Sequence, residues 1–167
     1  MKTGIGKKRH LLALAGAVVA IGMVVPATAS TASPATRRGC RQAFDEAQRQ
    51  DMESFRDYDA EAFREVHHDD ALTVFASGTL IVYGADNIMA TLHRHFEDQE
   101  AIWSWTELSR FIDNGCRTGY ILYDTTYELP SVNFVQHATV GVSYLRDNGK
   151  WLVIADQGTL IPPPTDG

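Results

Sequence analysis

Two β-forming segments in the second half of the chain each carry a group suited to proton transfer. His137 alternates with Val135, Thr139 and Gly141, and an imidazole gives or takes a proton near neutral pH. Asp124 alternates with Leu122 and Thr126, a mid-strand setting in which a carboxylate is costly unless paired. If both side chains face one cavity, they form an acid–base pair with mutually tuned pKa values. If they do not, His137 is a hydrogen-bonded core or rim histidine and Asp124 an exposed strand residue or a dimer contact. Asp156 and Gln157 bring polar groups to the last strand. Gln157 shares parity with Trp151, Val153 and Ala155, so it is the one of the two expected to face a pocket.

Other chemistries find less support. The run His67-His68-Asp69-Asp70, with His93 and His95 further on, has metal-ligand residue types. Adjacent helical residues point about 100° apart, and an i, i+2 pair shares no helix face, so no metal site is expected. There is no Gly-x-Ser-x-Gly signature for a serine nucleophile and no glycine-rich phosphate loop. Flat amphipathic side chains are plentiful, among them Tyr58, Tyr83, Tyr120, Tyr123, Tyr127, Trp103 and Trp105. Such residues build core and cavity wall together and suit an aromatic or polycyclic ligand.

The elements that must position these groups follow from periodicity. From Cys40 onward Phe44, Ala47, Asp51 and Phe55 recur at three- and four-residue spacing, which predicts a helix. Asp57-Tyr58-Asp59 interrupts it, and Asp59 is suited to cap a second helix through Val66. Strands are expected over Leu72 to Ala76 and Thr79 to Tyr83 around a Ser77-Gly78 turn, then a third helix after Gly84 with Ile88, Leu92 and Phe96 in register. Four long β segments complete the chain: Ile102 to Ile112, Thr118 to Leu129, Val132 to Arg146, and Trp151 to Leu160. Asp113-Asn114-Gly115, Pro130-Ser131 and Asp147-Asn148-Gly149 supply the turns, and short turns make consecutive strands antiparallel neighbours.

The first residues read as a targeting segment. Lys2, Lys7, Lys8 and Arg9 precede an apolar run from Leu11 to Val25, and Ala27-Thr28-Ala29 is a small-x-small cleavage site. The pattern predicts a signal peptide over 1–29, a secreted or extracytoplasmic mature chain, and no membrane association after cleavage. Residues 30–39, rich in Ser, Thr, Ala and Pro, read as a disordered leader, and residues 165–167 as a tail. The predicted mature chain holds 11 Lys and Arg against 21 Asp and Glu, a formal charge of −10. This repels phosphate backbones and argues against a nucleic-acid partner. Cys40 and Cys116 are the only cysteines. In an oxidising compartment they are expected to pair, and no Cys-x-x-Cys spacing supports redox-active thiols.

The stretch 40–164 resembles the nuclear transport factor 2-like (NTF2-like, SnoaL-like) superfamily of α+β cones. The resemblance rests on Asp69-Asp70-Ala71, on Gly78 in the hairpin, on Gly84-Ala85-Asp86 opening the third helix, and on Gly149-Lys150-Trp151-Leu152-Val153-Ile154. The tail Ala155-Asp156-Gln157-Gly158-Thr159-Leu160-Ile161-Pro162 is most similar to the SgcJ/EcaC-type branch. The fold so implied has three N-terminal helices packed over a strongly curved antiparallel sheet. By the resemblance His137 points into the cone, Phe75 and Gly141 stand where ketosteroid isomerase keeps its base and its oxyanion donor, and a homodimer forms through the outer sheet face. Neither Phe75 nor Gly141 can transfer a proton. The two pocket histidines of scytalone dehydratase and the Asp-Arg-Asp relay of limonene epoxide hydrolase have no full counterpart.

These readings converge on a binder of a small hydrophobic or aromatic molecule, polyketide-like in character, with no cofactor. Phe75, Trp103, Trp105, Tyr123 and Gln157 are the expected ligand contacts. Two alternatives stand beside it: an isomerase, cyclase or dehydratase using His137 with Asp124, and a dimeric interaction module without a working pocket.

Overall fold

The computed structural model describes residues 34–162; the expected signal segment 1–29 and the tail lie outside them. Helix α1 runs from Pro34 to Arg56 and α2 from Ala60 to Val66. Residues 34–39, expected as disordered leader, therefore belong to the first helix. Tyr58, at φ 61°, makes the break between the two helices. The Asp59 carboxylate accepts from the Ala62 amide and caps α2, satisfying a backbone donor that the helix start leaves orphaned. The expected third helix is two short ones, α3 (Ala85–Thr91) and α4 (His93–Asp98). They meet at Leu92, whose φ and ψ of −88° and 3° leave the helical region.

Six strands form one curved sheet in the order β2-β1-β6-β5-β4-β3. They are β1 (His67–Val74), β2 (Ile81–Tyr83), β3 (Ile102–Ile112), β4 (Thr118–Leu129), β5 (Phe134–Asp147) and β6 (Lys150–Leu160). The sheet is mixed rather than wholly antiparallel, because β1 pairs parallel with β6. Every other pairing is antiparallel. β1 begins five residues before the expected Leu72, so His67 to Ala71 belong to the strand. A 3-10 turn, Pro130–Val132, links β4 to β5.

The helices cover the concave face. There Phe44 of α1, fully buried, meets Tyr144 and Trp151 edge-on with ring centroids 5.0 Å away in both cases. Gly119 allows this approach: a Cβ on it would lie 2.4 Å from the Phe44 ring. Cys40 and Cys116 are bonded, with Cα atoms 6.1 Å apart, fastening α1 to the β3–β4 turn. Asp113 shapes that turn by accepting from the amides of Gly115, Arg117 and Thr118.

Register irregularities decide which residues face inward. Along β6 the partners of Ser143 and Tyr144 are Ala155 and Val153, so Ile154 is an extra residue. Trp151 and Val153 point inward before it, whereas Asp156 and Gly158 do so after it. A bulge of this kind exchanges the two faces of the strand beyond it.

Candidate functional site

The mouth of the cone holds a cavity of about 330 Å³. Helix α1 contributes Asp51, Met52 and Phe55, and α2 contributes Phe63. The end of β1 and its hairpin bring Thr73, Phe75 and Ala76, while β3 and β4 bring Trp103, Thr125 and Tyr127. Phe134, Gln136, Val140 and Val142 of β5 and Asp156 and Gly158 of β6 complete the wall. The aromatic part is rigidly built. His95 stacks on Phe55 at 3.8 Å and 8°, and its Nε2 donates to the Phe55 carbonyl at 2.7 Å. Nδ1 is then the acceptor for the Tyr127 hydroxyl at 3.3 Å.

The acidic groups of the cavity are two carboxyls, Asp51 and Asp156. Asp51 is 5% exposed, and its Oδ2 accepts a hydrogen bond from the Tyr144 hydroxyl at 2.8 Å. Its Oδ1 stands 4.0 Å from His67 Nε2. Burial pushes Asp51 up to about 7, against the opposing effect of the Tyr144 hydrogen bond. Asp156 accepts from the Thr73 hydroxyl at 2.9 Å. Burial pushes it up to about 7 as well; His67 and Thr73 act against the rise, and the charge of Asp51 adds to it. His67 donates through Nδ1 to the Phe63 carbonyl at 2.7 Å, so the neutral ring presents the Nε2 lone pair toward Asp51. Burial holds His67 below its ordinary pKa. The Tyr123 hydroxyl, also near Asp51, is buried without a hydrogen-bond partner; burial first, then the Asp51 carboxylate, raises its pKa. Near neutral pH this floor can hold, give or accept a proton.

The residues expected from sequence fall in three places. Phe75 and Trp103 lie in the cavity wall. Tyr123 and Trp105 do not: Tyr123 is fully buried in the core behind the wall, and Trp105 packs under Arg56, whose guanidinium lies 5.5 Å from its ring. Gln157, His137 and Asp124 are on the convex face. The Ile154 bulge turns Gln157 outward and brings Asp156 in its place. His137 is exposed, with Nδ1 3.0 Å from Thr126 Oγ1, while its neighbour Gln136 lines the cavity. Asp124 is exposed and opposite Thr139. The acid–base pair His137–Asp124 is therefore not formed inside the cone. Gly141 is on the outer face too, beneath the Tyr120 ring.

Asp51 and His67 are the groups that strand-based reasoning missed. A signal for Asp51 was present, since a carboxylate in register with Phe44, Ala47 and Phe55 lies on the buried stripe of α1. Among the described residues no group of three or more His, Cys, Asp and Glu is placed to hold a metal ion.

No family model and no curated protein matches the chain. Solved structures do. A hexachlorocyclohexane dehydrochlorinase (type 2) shares 17% identity over 81% of this chain and 95% of its own, with a TM-score of 0.64. A ketosteroid isomerase-like protein from Erwinia carotovora atroseptica shares 12% over 73% and 96%, at TM-score 0.60. An NTF2-like protein from Cytophaga hutchinsonii shares 17% over 72% and 98%, at 0.56. The chain shares its fold with these NTF2-like structures, and identities this low speak to fold and not to activity.

Proposed function

We propose that this protein is an exported small-molecule binder that takes an aromatic or polyketide-like ligand into the cone. One observation carries the reading: a cavity of about 330 Å³ whose walls are mainly aromatic and aliphatic, with a few polar side chains among them. Apolar walls with a few convergent polar groups are the usual build of a ligand site. The basic, apolar and small-residue order of 1–29 supports export, and the SgcJ/EcaC-like tail supports a polyketide-like ligand. Native mass spectrometry of the mature protein after exposure to host extract tests it. Wild type and His137→Ala are expected to retain a small molecule, and Val140→Phe, which fills the cavity, to lose it. Equal retention by Val140→Phe, or none by wild type, refutes the proposal.

A second reading is favoured by the carboxyl pair. Asp51 and Asp156, pushed up to about 7, stand where general acid–base groups work best. An isomerase, cyclase or dehydratase of this chain would use them in place of His137 and Asp124. Turnover of the retained molecule by wild type but not by Asp156→Asn is the expected sign, and unchanged ligand after prolonged incubation counts against it. A homodimer would use the convex face, where Phe111 and Tyr120 stand exposed on paired strands. A monomer mass by light scattering at micromolar concentration would remove that element.

A further inference from the structure

The electrostatics of the cavity are one-sided. Asp51 and Asp156 line it, and no lysine or arginine does. Arg64, whose charge acts on His67, is paired with Asp69 at 2.8 Å and Asp86 at 2.9 Å. Each floor carboxyl uses one oxygen within the protein, Asp51 Oδ2 with Tyr144 and Asp156 Oδ2 with Thr73. The Asp51 Oδ1 and Asp156 Oδ1 atoms have no hydrogen-bond partner among the described residues, although Asp51 is only 5% exposed. The same cavity wall carries six aromatic side chains: Phe55, Phe63, Phe75, Trp103, Tyr127 and Phe134.

We propose that the ligand is a lipophilic ammonium, an aromatic or alicyclic scaffold whose protonated amine seats on the free oxygens of Asp51 and Asp156. The inference rests on the small-molecule pocket reading and names its ligand class. Buried carboxylates bind a cationic donor far more strongly than a neutral one, because the bond is charge-assisted. Aromatic faces add attraction to the same charge. Among the described residues no three His, Cys, Asp or Glu side chains are grouped for a metal ion, and the aromatic wall suits an organic cation. An anionic ligand would meet two acidic groups and no basic one.

The seat implies proton release. The groups facing the pair are Tyr144 of β5 and Tyr123 of β4 beside Asp51, Thr73 of β1 beside Asp156, and His67 of β1 near both carboxyls. None of these supplies a permanent positive charge. In the empty cavity burial keeps the pair partly protonated at neutral pH. An arriving ammonium stabilises both carboxylates, and the displaced proton leaves to solvent.

Three ring-matched probes test this: 2-naphthylmethylamine, 2-naphthylmethanol and 2-naphthoate, titrated calorimetrically at pH 7 into the full mature protein. The amine is expected to bind about tenfold or more tighter than the alcohol, the benefit typical of a charged hydrogen bond, and the carboxylate more weakly than either. Amine binding heats should differ between phosphate and Tris by an amount reporting proton release, a readout that needs no variant. Asp156→Asn, checked for folding by near-UV circular dichroism, should bring the amine-to-alcohol ratio below about threefold, as expected once one charged partner is lost. Alcohol binding as tight as amine, or amine binding without proton release, overturns the ammonium while leaving the pocket reading intact. No binding of any probe by folded wild type overturns the pocket reading and this inference together.

Discussion

Replacing Asp51 by asparagine should stabilise the protein at alkaline pH and do little at acid pH. Asparagine keeps the shape of the side chain and an oxygen for the Tyr144 hydroxyl, but never carries the charge that burial penalises. In the folded wild type the Asp51 pKa stands at about 7 against an ordinary 3.8. Between those values the native state holds a proton that the unfolded chain has released, so stability falls as pH rises. Below pH 3.8 both states are protonated and the full stability is present; above about 7 both are ionised and the loss is complete. Three pKa units at about 1.4 kcal/mol each give about 4 kcal/mol. The Asp51 charge also helps to raise Asp156, so its removal relieves the neighbour too and adds to the gain. The assay is urea unfolding followed by circular dichroism, with the disulfide intact, for both proteins at half-unit steps from pH 4 to pH 9. The difference in unfolding free energy should widen in favour of Asp51→Asn by about 1.4 kcal/mol per pH unit between about pH 5 and pH 6, and level off above about pH 8. Titrating groups other than Asp156 largely cancel in the subtraction. Two parallel pH profiles would refute the reasoning, because they would mean that Asp51 does not change its protonation there.

Reduction of the Cys40–Cys116 bond, which spans 76 positions, should cost about 4 kcal/mol if chain entropy governs; a melting temperature unmoved by reductant would contradict this. Gly119→Ala should cost about 1–3 kcal/mol, since its Cβ would lie 2.4 Å from a Phe44 ring packed in the core. Gly141→Ala should cost less by the same denaturation assay, because the atom it meets is the hydroxyl of the half-exposed Tyr120 on the convex face. Equal losses at the two sites would show that the packing of the concave face is looser than described.

Much of the fold was legible because its punctuation is local. Asp113-Asn114-Gly115 and Asp147-Asn148-Gly149 placed the adjoining ends of β3 to β6 to within one residue. Asp59 announced the start of α2 and does cap it. The parallel contact of β1 with β6 could not be read, because it joins the ends of the domain and leaves no mark in either segment. The site was harder still. Parity along β6 favoured Gln157 until Ile154 is counted as a bulge, and nothing in the type of residue 154 distinguishes a bulged isoleucine from a paired one. His137 attracted notice as an imidazole in a strand, yet the inward set on β5 includes Gln136, Ala138, Val140 and Val142. His67 was weighed with His68 as a metal pair, whereas the strand that begins there sends His67 into the core and leaves His68 on the other side.

The last of the six strands in chain order, β6, is the one inserted between β1 and β5. Thr73 and Asp156, joined across that seam, are 83 positions apart. Neighbours so distant in sequence make folding slow, since chain closure must precede the reward of contact. Until Lys150–Leu160 arrives, the β1–β2 ribbon has no sheet to join, and a two-strand ribbon alone is marginal in water. Linking Cys40 to Cys116 beforehand would shorten the search but leave the seam open. The chamber between Asp51 and Asp156 therefore depends on a long-range closure: its floor is complete only once β6 has paired with β1.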